Sequence, residues 1–276
     1  VKSTKQITKA MQMVAASKMR RAQEATKSSQ AYTMAARELL TYLAAQGATN
    51  GHKWFTVRPV KSRLLIAVAS DKGLAGAYNA NILKAYVREL KADDAANIAN
   101  KTIAVGRKIA QAATRIKDTE IVGTYEDLPD HFSGAEFHAI LNTAKDLFEA
   151  GQVDAVDVIF TRFVSSLTQR ADVVRLFPAG FTPTDDVQPD IAEAKFEPSP
   201  KQIIDDIAYR LISARLFQAL MDSRASEHSM RMLAMKNATD NATDLVDALT
   251  LEMNKARQAA ITQELTEISA GVEAMQ

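Results

Sequence analysis

The chain has 276 residues, a length suited to one or two domains, and its 47% hydrophobic and 24% charged composition excludes a disordered polypeptide. A formal net charge of +1 argues against a general nucleic-acid binder, and the absence of cysteine removes disulfides, cysteine zinc sites and thiol catalysis together. No stretch approaches the roughly 20 apolar residues that span a bilayer, the longest run being Leu64 to Ala69, and no charged n-region followed by an apolar h-region opens the chain.

Residues 1–46 contain neither glycine nor proline, so one uninterrupted helix is predicted in a first segment, 1–47. Its apolar steps, Ile7, Met11 and Val14, then Tyr32, Ala36, Leu39 and Leu43, follow the 3.5-residue repeat of a left-handed coiled coil. Near its start Lys2, Lys5, Lys9, Lys18, Arg20, Arg21 and Lys27 are opposed only by Glu24. That is either a solvated helix face or a basic track for an acidic partner, where complementary charge sets orientation more than affinity.

The middle segment, 61–185, changes to alternating elements. Strands are predicted at Leu64 to Ser70, Thr102 to Val105, Glu120 to Thr124, Val156 to Phe163 and Val173 to Phe177, and helices at Tyr78 to Lys91, Lys108 to Ile116 and Ala135 to Glu149. Strand then helix, three times over, predicts a mainly parallel sheet with helices on its faces. The last two strands are expected to form an antiparallel hairpin through Ser165, Ser166 and Leu167. The turn from Ser70 to Ala77 sits where a Rossmann-like fold would hold a phosphate. Its glycines are spaced G-x-x-G, without a P-loop ending or a ribose-binding acid, so the sheet is expected to be structural and to take no cofactor. His52, His131, His138 and His228 lack metal-ligand spacing, and the pairs Asp185-Asp186 and Asp205-Asp206 read as loop and helix-start charges.

Pro198-Ser199-Pro200 stops and restarts the chain, with Ser199 as N-cap and Pro200 at the first helical position. Residues 201–270 again lack both breakers, which predicts a second terminal helix in segment 199–276, antiparallel to 1–47. Its seam runs Ile204, Ile207, Leu211 and Ala214, then Val246, Leu249, Met253, Ala256 and Ala260, then Ile261, Leu265, Ile268 and Val272. Lys18, Gln218 and Arg224 interrupt the pattern, so irregular pairing is expected in the middle. All ten methionines fall in the two terminal segments, suited to core packing or to a surface that slides against changing neighbours. Leu265 to Gln276 carries only Glu267 and Glu273 as charges, and so apolar an end should be enclosed by something. The fold class is therefore α/β: a long antiparallel terminal coiled coil with an inserted Rossmann-like α/β domain.

Two stretches are more specific. Lys5 to Met19, KQITKAMQMVAASKM, resembles the amino-terminal signature of the gamma subunit of F-type ATP synthase, and Lys255 to Leu265, KARQAAITQEL, is similar to its carboxy-terminal one. Ser226 to Met235 and Ser70 to Leu74 resemble further blocks of that family, so the likeness covers essentially the whole chain. Ala75 stands where the family often has cysteine, and the chain begins about a dozen residues later than family members usually do. Without cysteine, it cannot carry the regulatory dithiol of the chloroplast type.

The resemblance implies a non-catalytic rotor standing in a ring of three alpha and three beta subunits. It implies an epsilon-type (or mitochondrial delta) subunit and the membrane c-ring as further partners, with no nucleic acid and no small-molecule substrate. By motif position, Lys9, Met11, Lys18, Arg20 and Arg21 would face acidic loops of beta, and Arg257, Gln258, Thr262 and Glu264 a second beta loop. Leu265, Ile268, Val272 and Met275 would form an apolar bearing tip. The expected location is peripheral on an energy-transducing membrane, at the cytoplasmic face of a bacterial inner membrane or the matrix side of a mitochondrial one. Two other readings compete: a nucleotide-dependent oxidoreductase or transferase with coiled-coil oligomerisation arms, and a coiled-coil scaffold for another coil.

Overall fold

The structure is a computed structural model that describes residues 1–45, 47–116, 119–129, 135–180 and 200–273. In chain order the elements are α1 (Lys2–Ala45), β1 (Ser62–Val68), α2 (Tyr78–Ala95), β2 (Ala99–Val105), α3 (Arg107–Ala113), β3 (Glu120–Tyr125), α4 (Ala135–Glu149), β4 (Ala155–Phe163), β5 (Gln169–Phe177) and α5 (Pro200–Glu273). The helices α1 and α5 have 44 and 74 residues, roughly 66 Å and 110 Å at about 1.5 Å per residue. Both run without interruption because nothing in them breaks the hydrogen-bond ladder.

The described chain forms two compact units, Val1–Val14 with Met232–Gln276, and Ala15–Arg231. The larger holds a five-stranded sheet in the order β3-β2-β1-β4-β5, parallel except for β5, which pairs antiparallel with β4. The expected hairpin through Ser165 to Leu167 is present, closed by the Ser165 amide donating to the Thr168 carbonyl at 3.0 Å. In β1 the side chains alternate between two cores, so the strand reads as a continuous apolar run. Leu64, Ile66 and Val68 join Ile140, Leu141 and Phe148 of α4 and Ile212, Leu216 and Leu220 of α5. Leu65 and Ala67 join Ile82, Tyr86 and Leu90 of α2 and Ile109 of α3.

Arg63 opens β1 on the α2 side, where its guanidinium would be uncompensated but for three acids. It meets Asp157 at 2.5 Å, Asp93 at 3.0 Å and Glu89 at 3.1 Å. Burial works against that charge, yet Asp157 and then Asp93 outweigh it and hold Arg63 above its ordinary pKa. The network ties β1, α2 and β4 together at the amino end of the sheet.

The seam of α1 differs from the expected one. The buried positions of α1 with described side chains are Thr8, Ala15 and Ala22, then Ala36, Leu40 and Leu43, all but Leu40 in register with a seven-residue step. Ala36 and Leu43 were on the expected list, but Ile7 and Val14 are 57% and 56% exposed. Toward the start of α1 the small side chains of Thr8, Ala15 and Ala22 are the buried ones and the bulkier Ile7 and Val14 turn outward. In the smaller unit the hydroxyls of Thr8 and Thr239 lie 2.8 Å apart. In the larger, Ala36, Leu40 and Leu43 pack with Ile204 and Leu211, two of the residues expected in the α5 seam.

Further along α5 the expected seam is not buried. Leu249, Met253, Ile261, Leu265 and Ile268 are all exposed. The methionines divide, with Met221 and Met235 buried and Met13, Met34 and Met253 exposed. His131, Asp185, Asp186, Ser199 and Met275 lie outside the described residues, as do the side chains of Tyr32 and Val272.

Candidate functional site

An open α/β sheet places ligands outside the carboxyl ends of its strands. Here that crevice, about 310 Å³, is lined by Asp71, Lys72, Tyr78, Gly106 and Asp127 from the sheet side, by Lys18 of α1, and by Arg224, Glu227, His228 and Arg231 of α5. The turn after β1 is tightly built. Leu74 and Gly76 have φ of 62° and 54°, and a Cβ on Gly106, at φ 95°, would stand 2.2 Å from the Ala69 carbonyl oxygen.

Several polar groups of this turn are bonded within the protein. Asn79 Oδ1 accepts from the Ser70 amide at 3.1 Å, and Asp71 Oδ1 accepts from the Arg107 amide at 2.9 Å. Arg231 donates to the Gly73 carbonyl at 3.2 Å and pairs with Glu227 at 2.7 Å. Arg224 donates to the carbonyls of Leu128, at 2.8 Å, and Pro129. Burial raises the Glu227 carboxyl against the pull of Arg231, and burial with the nearby Glu227 raises the Tyr78 phenol. The crevice sets three carboxylates, Asp71, Asp127 and Glu227, among the cations Lys18, Lys72, Arg224 and Arg231. The crevice is built to grip α5.

A second grip lies where β4 outruns β1. The two strands pair only as far as Ala67 and Ile159, so the backbone of Thr161 needs another partner. It finds one in α5. The Thr161 amide donates to Ser223 Oγ at 3.0 Å, and Ser226 Oγ donates to the Thr161 carbonyl at 3.2 Å. Ser229 Oγ reaches the Ser166 carbonyl at 2.7 Å and accepts from Gln169 at 3.2 Å. Sequence reading missed these three serines, and their spacing of three along a breaker-free helix was the available signal.

The residues singled out from sequence are distributed along the two long helices. Lys9 is exposed and donates to Gln12 at 3.3 Å, and Met11 is half-buried. With Lys2, Lys5 and Met13, Lys9 rims a groove of about 610 Å³ floored by Thr239 and Val246 in the smaller unit. Lys18 lines the crevice of the larger unit, where Arg20 and Arg21 are exposed. Arg257, Gln258, Thr262 and Glu264 are exposed on α5, and Leu265 and Ile268 are 60% and 64% exposed. Within the smaller unit, α5 residues from 251 to 270 are exposed apart from the half-buried Asn254, so the α1 groove and this stretch form separate surfaces.

Among the described residues no cluster of three or more metal-ligating side chains occurs, and no helix is long and apolar enough to cross a membrane. A family model described as ATP synthase matches residues 1–275. The ATP synthase gamma chain of Desulforamulus reducens is 37% identical over all of this chain and 95% of its own length. That of Glaesserella parasuis is 37% identical over all of this chain and 96% of its own. Among solved structures, a chain from the central stalk and c-ring of the Tetrahymena thermophila mitochondrial ATP synthase aligns with a TM-score of 0.64 at 24% identity, covering 84% of this chain and 99% of that one. A chain from the Euglena gracilis mitochondrial ATP synthase aligns at 0.57 and 17% identity, covering 93% and 94%.

Proposed function

Since this chain belongs to the ATP synthase gamma-chain family, we propose that it is the central-stalk rotor of an F-type ATP synthase, coupling proton-driven rotation to ATP synthesis or hydrolysis on partner subunits. On this reading α1 and α5 pair as an antiparallel coiled coil, the five-stranded sheet and its helices are a Rossmann-like domain without a nucleotide, and the chain itself breaks no bonds. The observation that carries the reading is the exposed run of Leu249, Leu251, Met253, Ile261, Leu265 and Ile268 on α5. So many exposed apolar side chains along one helix need an enclosing partner.

The partners are an alpha3beta3 ring, an epsilon-type subunit and a c-ring, and the protein is peripheral on the cytoplasmic face of a bacterial inner membrane. Lys9, Met11, Lys18, Arg20 and Arg21 face acidic loops of the beta subunits, which the lysine-rimmed groove of α1 suits in charge. Arg257, Gln258, Thr262 and Glu264 contact a second beta loop, and Leu265, Ile268, Val272 and Met275 form the bearing tip. An asymmetric rotor touches the three beta subunits differently, so each angle stabilises a different nucleotide affinity, and nucleotide binding must bias rotation in return.

Replacing Met11 with lysine in the assembled complex tests this. Protons pumped per ATP hydrolysed should fall severalfold, while the melting temperature of the chain stays within a few degrees. An unchanged pumping ratio with a large loss of thermal stability would contradict the reading.

A further inference from the structure

A cleft of about 500 Å³ lies within the larger unit between α1, the β4–β5 pair and α5, and no role above uses it. Among the described residues that line it, four are arginines, Arg37 of α1, Arg162 of β4, Arg175 of β5 and Arg215 of α5, against one carboxylate, Asp222. Two of the four are anchored from behind. Arg162 gives Nε to Asp172 at 2.8 Å with its guanidinium carbon 5.5 Å from the centre of the Phe160 ring, and Arg175 gives Nη2 to Asp157 at 3.0 Å.

Arg215 is different. It is half-buried, and among the described residues its guanidinium has no hydrogen-bond or ion-pair partner. Burial and the like charge of Arg37 push it below its ordinary pKa. Asp222 is the one carboxylate among the described lining residues; burial raises it to about 6 against the pull of Arg162, so it is ionised at pH 8 and opposes an anion there. A half-buried guanidinium beside a like charge is unfavourable unless a counter-charge reaches it. Guanidinium forks arranged around one space match the geometry of a tetrahedral oxyanion, and Thr33 and Gln218 add neutral polar groups to the wall.

We propose that this cleft binds a multiply charged inorganic oxyanion of the phosphate class, held by Arg37 and Arg215 from the two helices and by Arg162 from the sheet. The anion would fasten α1 and α5 to the β4–β5 pair. It stands apart from the rotor reading, because it rests on this chain alone.

Sulfate is the probe, since its charge does not change between pH 5 and pH 8. The full chain is titrated with sulfate by calorimetry, with chloride holding ionic strength constant, and phosphate is then compared at pH 8. Saturable one-to-one binding and a rising melting temperature are expected. Arg215→Gln should lose roughly tenfold or more in affinity, Arg215→Lys should lose less because it keeps the charge without the fork, and Asp222→Asn should gain severalfold at pH 8. Heat that follows ionic strength alone, or equal affinity in Arg215→Gln and the parent, would overturn the site. Should Arg215→Gln fail to fold, Arg37→Gln carries the comparison: weakened binding supports the site and unchanged binding overturns it.

Discussion

Asp222 shows how a single buried carboxylate sets a pH dependence. Burial raises it from the usual 3.8 to about 6, so the folded chain holds a proton that the unfolded chain releases near 4. Its contribution to stability is full below about 4 and is lost as pH rises through about 6. Asp222→Asn keeps the shape and removes the ionisation, so urea unfolding should show a gain of about 1–2 kcal/mol at pH 8, after allowance for solvent screening, and none at pH 4. The Arg63 cluster works with the opposite logic. There the acids outnumber the cation, and three elements meet on one guanidinium.

At the scale of elements, the contact between α5 and β4 depends on where strand pairing stops. Thr161 lies beyond the end of the β1 ladder, so its main chain is satisfied by Ser223 and Ser226 instead of a strand. Ser226→Ala would leave a buried carbonyl without its donor and should cost about 1–3 kcal/mol in denaturant unfolding. Thr161→Val offers the contrast. Among the described residues the buried Thr161 hydroxyl has no hydrogen-bond partner, so its removal should be neutral or stabilising. Equal losses for the two variants would mean that packing, and not the hydrogen bonds, holds the helix there.

For the whole molecule, the exposed face of α5 separates folding from assembly. Ile261, Leu265 and Ile268 are exposed, so changing all three to serine should leave the melting temperature of the isolated chain almost unaltered. Assembly with the ring, measured as ATP-driven activity of the reconstituted complex, should fall sharply. A marked loss of stability in the isolated chain would show that the face is covered from within.

How much was legible follows the range of the forces involved. Breaker-free ends, the alternation of strands and helices, and the β4–β5 hairpin are consequences of local backbone preference and apolar period, which neighbouring residues carry in full. The motif blocks at Lys5 to Met19 and Lys255 to Leu265 were likewise readable as strings. Which row of α1 turns inward was not, because Ile7 and Val14 repeat with the same seven-residue step as Thr8, Ala15 and Ala22 and are the more apolar, yet the second row is the buried one. Nor could any string show that Arg231 fills the turn at Gly73, that Ser226 completes a strand, or that Arg215 faces Arg37. Those pairings join residues far apart in the chain, and charge, hydrogen bonding and exclusion of water act on distances that exist only once the backbone has closed.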